Sequence, residues 1–155
     1  MWCKSRTSLD SGPNDVSQTW LAGDGPRTAE QRSLDAMAEE QIALNTELLG
    51  PGRTFRALSH AAASLGDDCL PNRYSVLFHG VGLCDELPIG AVPVRLGTSG
   101  HDGVLETGMV LCVESYVGRH GGADGVKLED QVLITASGRE RLLTFPRDER
   151  LSAAP

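Results

Sequence analysis

A chain of 155 residues with 40% hydrophobic and 23% charged residues has the length of one domain and can bury a core, which excludes a disordered polymer. Its net charge of −7, with no basic stripe, argues against a nucleic-acid partner. No apolar run approaches the roughly 18 residues of a membrane span, and residues 1–9 lack the apolar core of a secretory signal, so the expected setting is cytoplasmic, with Cys3, Cys69, Cys84 and Cys112 as reduced thiols.

Residues 1–27 are rich in Ser, Gly, Pro and Asp around a short strand expected over 16–21. Thr28 to Gln31 reads as a capping box. Behind it Leu34, Met37, Ile42, Leu44 and Leu48 recur near helical spacing until Gly50-Pro51-Gly52 stops the helix. Thr54 is placed to cap a second helix, with Phe55, Leu58, Ala62 and Leu65 on one face and Gly66 at its end. From Tyr74 the texture becomes that of strands. Residues 74–78 run into a glycine turn, His79 to Gly82. Residues 109–117 are strongly apolar, interrupted by Glu114 and Ser115, and residues 125–135 carry Lys127, Glu129, Asp130 and Gln131. The turn Ala136 to Gly138 leads into a strand expected over 141–145. Helices followed by antiparallel strands predict an α+β layer with the helices on one face of the sheet.

The anomaly is a pair of glutamates inside apolar strands. An ionised carboxylate in a strand core is costly unless it is paired or binds a metal. Taken singly, Glu114 in MVLCVES and Glu129 in GVKLEDQVLIT each fit a solvent-facing strand position better. Together with His79 they form an oxygen-rich set with one imidazole, suited to Mn, Fe, Co or Zn rather than to a thiolate zinc site.

Three ordered motifs, HGVG at 79–82, GMVLCVES at 108–115 and VKLEDQVLIT at 126–135, resemble the metallopeptidase superfamily of methionine aminopeptidase, aminopeptidase P and creatinase. The segment NDVSQTWLAGDG at 14–25 is similar to its DxSRTW stretch. The resemblance implies the pita-bread fold, here its C-terminal half over residues 14–151 with a short tail at 152–155, and two helices on a curved antiparallel sheet. It also implies metal ligands at Asp15, His79, Glu114 and Glu129. The peptidases usually carry a second, substrate-contacting histidine seven residues after the first, where this chain has Glu86. Tyr74 and Asp85 around His79, with VESYVGRHGGADGVKLEDQVLIT, are instead similar to the dimethylsulfoniopropionate lyase members. That similarity implies β-elimination to dimethyl sulfide and acrylate, with Asp85 as the base and Tyr74 lining the pocket. The bland alternatives are a packing tyrosine and a loop-capping aspartate near Pro88.

The resemblance implies a longer full-length protein that forms a homodimer, and the superfamily's metal-binding members hold two divalent metal ions. The lyases carry aspartates twelve and ten residues before the one matched by Asp15, at positions occupied here by Cys3 and Ser5. One ion (Fe, Mn, Zn or Co) is therefore expected, residues 1–13 read as unrelated or truncated sequence, and lyase activity is expected to be impaired. A small molecule is the expected partner, with no nucleic acid and no membrane. An Xaa-Pro aminopeptidase and a non-catalytic interaction module are the alternatives.

Overall fold

The computed structural model describes residues 2–9, 12–82, 87–95, 102–142 and 146–152. A seven-stranded sheet carries the site: β1 (Trp2–Leu9), β2 (Gly12–Thr19), β3 (Val76–Gly80), β4 (Ile89–Ala91), β5 (Val110–Val117), β6 (Val126–Thr135) and β7 (Gly138–Arg141). The strand order is β1-β2-β6-β5-β3-β4, and β7 pairs with β6. All pairings are antiparallel. The edge of β6 opposite β5 is shared, with β2 meeting it at Glu129 and β7 along Val132 to Thr135. Reciprocal bonds tie β2 down further: the Lys127 amide donates to Thr19 Oγ1 (2.9 Å), and that hydroxyl donates to the Lys127 carbonyl (3.0 Å).

Helix α1 (Ala29–Leu48) begins where the capping box predicts. The Gln31 amide donates to Thr28 Oγ1 and the Thr28 amide donates to Gln31 Oε1, satisfying two amides that lack helical partners. Its buried stripe runs Leu34, Ala38, Ile42, Asn45, at steps of four, four and three. Leu44, expected on that face, is 49% exposed. Two residues beyond Ile42 it points about 200° round the helix, so the stripe passes it by. Helix α2 (Phe55–Ala61) is capped by Thr54 as expected, but it ends at Ala61 rather than near Gly66, leaving Leu65 beyond it, packed against the core from a loop. A short helix, α3 (Glu149–Ser152), follows the sheet.

The core lies between the helices and one face of the sheet. Because side chains alternate along a strand, Leu111, Val113 and Val117 of β5 and Val126, Leu128, Val132 and Ile134 of β6 share that face. Ser115 lies there as well, its hydroxyl donating to Gln41 of α1 at 2.7 Å. Several strand expectations shift at their ends. The strand expected over 16–21 runs from Gly12 to Thr19, and residues 2–9, within the stretch read as unrelated, pair with it along its whole length. The strand expected over 141–145 starts at Gly138 directly after a two-residue turn and ends at Arg141, because a tight hairpin brings the chain straight back onto β6. Among the described residues no helix is long and apolar enough to cross a membrane.

Candidate metal centre

The face of the sheet opposite the helices collects the residues that the core cannot hold. Register makes this unavoidable: Glu114 is the cross-strand partner of Glu129, His79 that of Cys112, and Ser17 that of Glu129. Partners across a ladder share a face, as do residues two apart on one strand. Asp15 on β2, Glu129 on β6, Glu114 on β5 and His79 on β3 therefore project from four consecutive strands onto one side. All four are buried. His79, expected in a glycine turn, is the fourth residue of β3, and the ladder to β5 fixes its direction.

The His79 ring is held from both ends. Nδ1 lies 3.0 Å from the Gly80 carbonyl, which can only accept, so Nδ1 carries a proton and Nε2 faces the carboxylates. Nε2 is 3.2 Å from Glu114 Oε1 and 3.2 Å from Glu129 Oε1. Burial opposes a charge on the ring, but the bonds to Glu129 and Gly80 and the charges of Glu129 and Asp15 outweigh it, raising the His79 pKa above its usual value. The outer oxygens of the glutamates are also engaged. Ser17 donates to Glu129 Oε2 at 2.6 Å, and Lys127 forms an ion pair with Glu114 Oε2. Each glutamate thus turns its Oε1 toward the imidazole.

Lys127, Ser17 and Cys112 complete the centre, and sequence reasoning had not given them a part in it. The available signal was the alternation Lys127, Glu129, Gln131, which puts the lysine on the face of the glutamate. The Lys127 ammonium also lies 4.4 Å from the centroid of the Tyr74 ring. Cys112 is completely buried, and its thiol donates to the Asp15 carbonyl at 3.1 Å. The ligand atoms of His79, Cys112 and Glu129 lie within 4.8 Å of one another. A nitrogen, a sulfur and several carboxylate oxygens converging in a buried place suit a divalent metal ion. Tyr74 is 42% exposed and stands in the wall of a cleft of about 360 Å³, with Arg73, Leu77, Gln41 and Glu114. Asp85 falls within residues 83–86, outside the described residues.

Residues 2–136 match the profile of metallopeptidase family M24. The chain belongs to that family. Two curated relatives are the dimethylsulfoniopropionate lyase DddP of Roseovarius nubinhibens, 44% identical over 137 residues, and that of Roseobacter denitrificans, 40% identical over 137 residues. Each alignment covers 88% of this chain and 31% of the relative, so this family M24 chain spans under a third of those proteins' length. Among solved structures, prolidase from Pyrococcus furiosus matches with a TM-score of 0.73 at 27% identity, covering 94% of this chain and 41% of the prolidase. The X-Pro aminopeptidase from Thermotoga maritima has the same fold at 20% identity, with a TM-score of 0.72 and coverage of 94% and 39%. The fold expected from the motifs, helices on an antiparallel sheet as in the pita-bread enzymes, is the fold of this family M24 chain.

Proposed function

We propose that this chain carries the metal-binding part of a dimethylsulfoniopropionate lyase, cleaving that substrate to dimethyl sulfide and acrylate. The observation that carries the reading is the convergence of His79, Glu114 and Glu129 on one buried point, in a chain 44% identical to a lyase of that name. Asp15, His79, Glu114 and Glu129 would hold one divalent ion (Fe, Mn, Zn or Co), and residues 14–151 would be the catalytic portion, acting in a homodimer. An ion bound there supplies Lewis acidity toward the substrate carboxylate and so acidifies the adjacent C–H.

The remaining work falls to side chains. Asp85 takes the α-proton, the C–H electron pair becomes the double bond, and the C–S pair leaves with sulfur. Sulfur departs as a neutral sulfide, so no general acid is needed. Tyr74 offers its ring face to the sulfonium cation, and the Lys127 ammonium already lies 4.4 Å from that ring's centroid, so the face accepts a positive charge. The prolidase likeness offers a second reading, a peptidase. Glu86, where the peptidases have a histidine, counts against it.

Elemental analysis after dialysis should find at most one equivalent of metal, falling sharply in His79→Ala. The metal-loaded chain should release dimethyl sulfide weakly, by headspace detection. Asp85→Ala should abolish that release without changing metal content. Hydrolysis of a prolyl dipeptide in place of sulfide release would reject the lyase in favour of the peptidase.

A further inference from the structure

The donors gathered on the sheet are not all nitrogen and oxygen. Cys112 is the cross-strand partner of His79 between β5 and β3, and it precedes Glu114 by two residues. Both relations put its sulfur on the face of the imidazole and the glutamates. The side chain is completely buried, and Sγ, a His79 ring nitrogen and a Glu129 carboxylate oxygen lie within 4.8 Å of one another. Resting on the metal-site reading above, we propose that Cys112 is itself a metal ligand, joining His79 and Glu129 as a thiolate donor. The three come from neighbouring strands, so the ladders that build the sheet also preassemble the donor set.

Ligation is a proton exchange without redox chemistry. The S–H bond breaks, its proton goes to solvent, and the sulfur electron pair forms the bond to the ion. The thiol gives up its bond to the Asp15 carbonyl in the process. A soft donor in place of a further oxygen shifts the preference of the centre toward Zn(II), Co(II) or Fe(II) and away from Mn(II). Cys69, a second buried thiol among the described residues, packs within the hydrophobic core and serves as an internal control.

The test is anaerobic titration of the whole chain with Co(II), followed by absorption spectroscopy. Bound cobalt shows visible ligand-field bands, and a Co–S bond adds an intense near-ultraviolet charge-transfer band. The expected result is both features in the native chain, with the charge-transfer band lost and the ligand-field bands kept in Cys112→Ser. Cys69→Ser should keep both. Ligand-field bands without charge transfer in the native chain would overturn thiolate ligation and leave the metal site standing. No cobalt uptake would overturn the metal site and this inference together. A charge-transfer band that survives Cys112→Ser would assign it to another thiol and overturn the role of Cys112. If the serine variant does not fold, the native spectrum and Cys112→Ala decide the matter.

Discussion

Lys127 sits almost wholly beneath the surface and holds the outer oxygen of Glu114. Removing one member of a buried ion pair strands the other charge, which typically costs about 3–5 kcal/mol. Lys127→Met should therefore destabilise the metal-free chain by that order, read from denaturant unfolding. The double change Lys127→Met with Glu114→Gln should recover much of the loss, and simple additivity in that cycle would refute the pairing. A second buried charge has no such direct partner among the hydrogen bonds described. Asp35, on α1, has its pKa raised to about 6 from 3.8, by burial first and by Glu39 next, with Arg147 and Arg27 opposing. An acid whose folded pKa lies above its unfolded value favours folding most when protonated, so stability drains away as pH rises from about 4 to about 6. Asp35→Asn should flatten that interval by on the order of 1–3 kcal/mol. Thermal melts of both proteins at either end of the interval check this, and parallel curves would exclude Asp35 as the cause.

At the level of the elements, β4 packs with no room for an added side chain at Gly90. A methyl group on Gly90 would lie 2.2 Å from the ring of Phe78, which itself meets Phe55 edge-on with centroids 5.3 Å apart. Gly90→Ala should force that ring aside and cost about 1–3 kcal/mol by thermal or chemical unfolding. An unchanged midpoint would mean that the ring moves freely. How far such elements could be read from sequence differed with the signal that each carries. The start of α1 was legible because Thr28 and Gln31 act on each other across a single turn. β5 and β6 were legible because their apolar runs are long. The edges of β2 and β7 were not, since Gly12 and Gly138 belong to strands only by virtue of the partner beside them. In the centre itself, His79, Glu114 and Glu129 announced themselves as polar residues in apolar or glycine-rich surroundings. Cys112 and Lys127 gave no comparable sign. A cysteine is ordinary in a buried strand, and a lysine is ordinary in an exposed one. Only the register between strands shows what they face.

For the whole molecule, a ligand that binds the folded centre and not the unfolded chain stabilises by mass action. At a hundred times its Kd, Zn(II) or Co(II) should add about 2.7 kcal/mol and raise the midpoint of thermal unfolding by several degrees. His79→Ala should abolish the increment, and an equal increment in that variant would place the binding elsewhere. The shared edge of β6 has a kinetic consequence. Ser17 and Glu129 are bonded across 112 residues of sequence, whereas the hairpin of β6 and β7 closes over two. Closing a long loop costs entropy before any contact repays it, and pairing between distant segments slows folding. The β5, β6 and β7 meander should thus zip first and β2 should dock last, bringing Ser17 and Asp15 to donors already in place. If an ion binds as proposed, its capture during refolding would then divide into two kinetic phases, a fast encounter with the His79, Glu114 and Glu129 side and a slower tightening as β2 arrives.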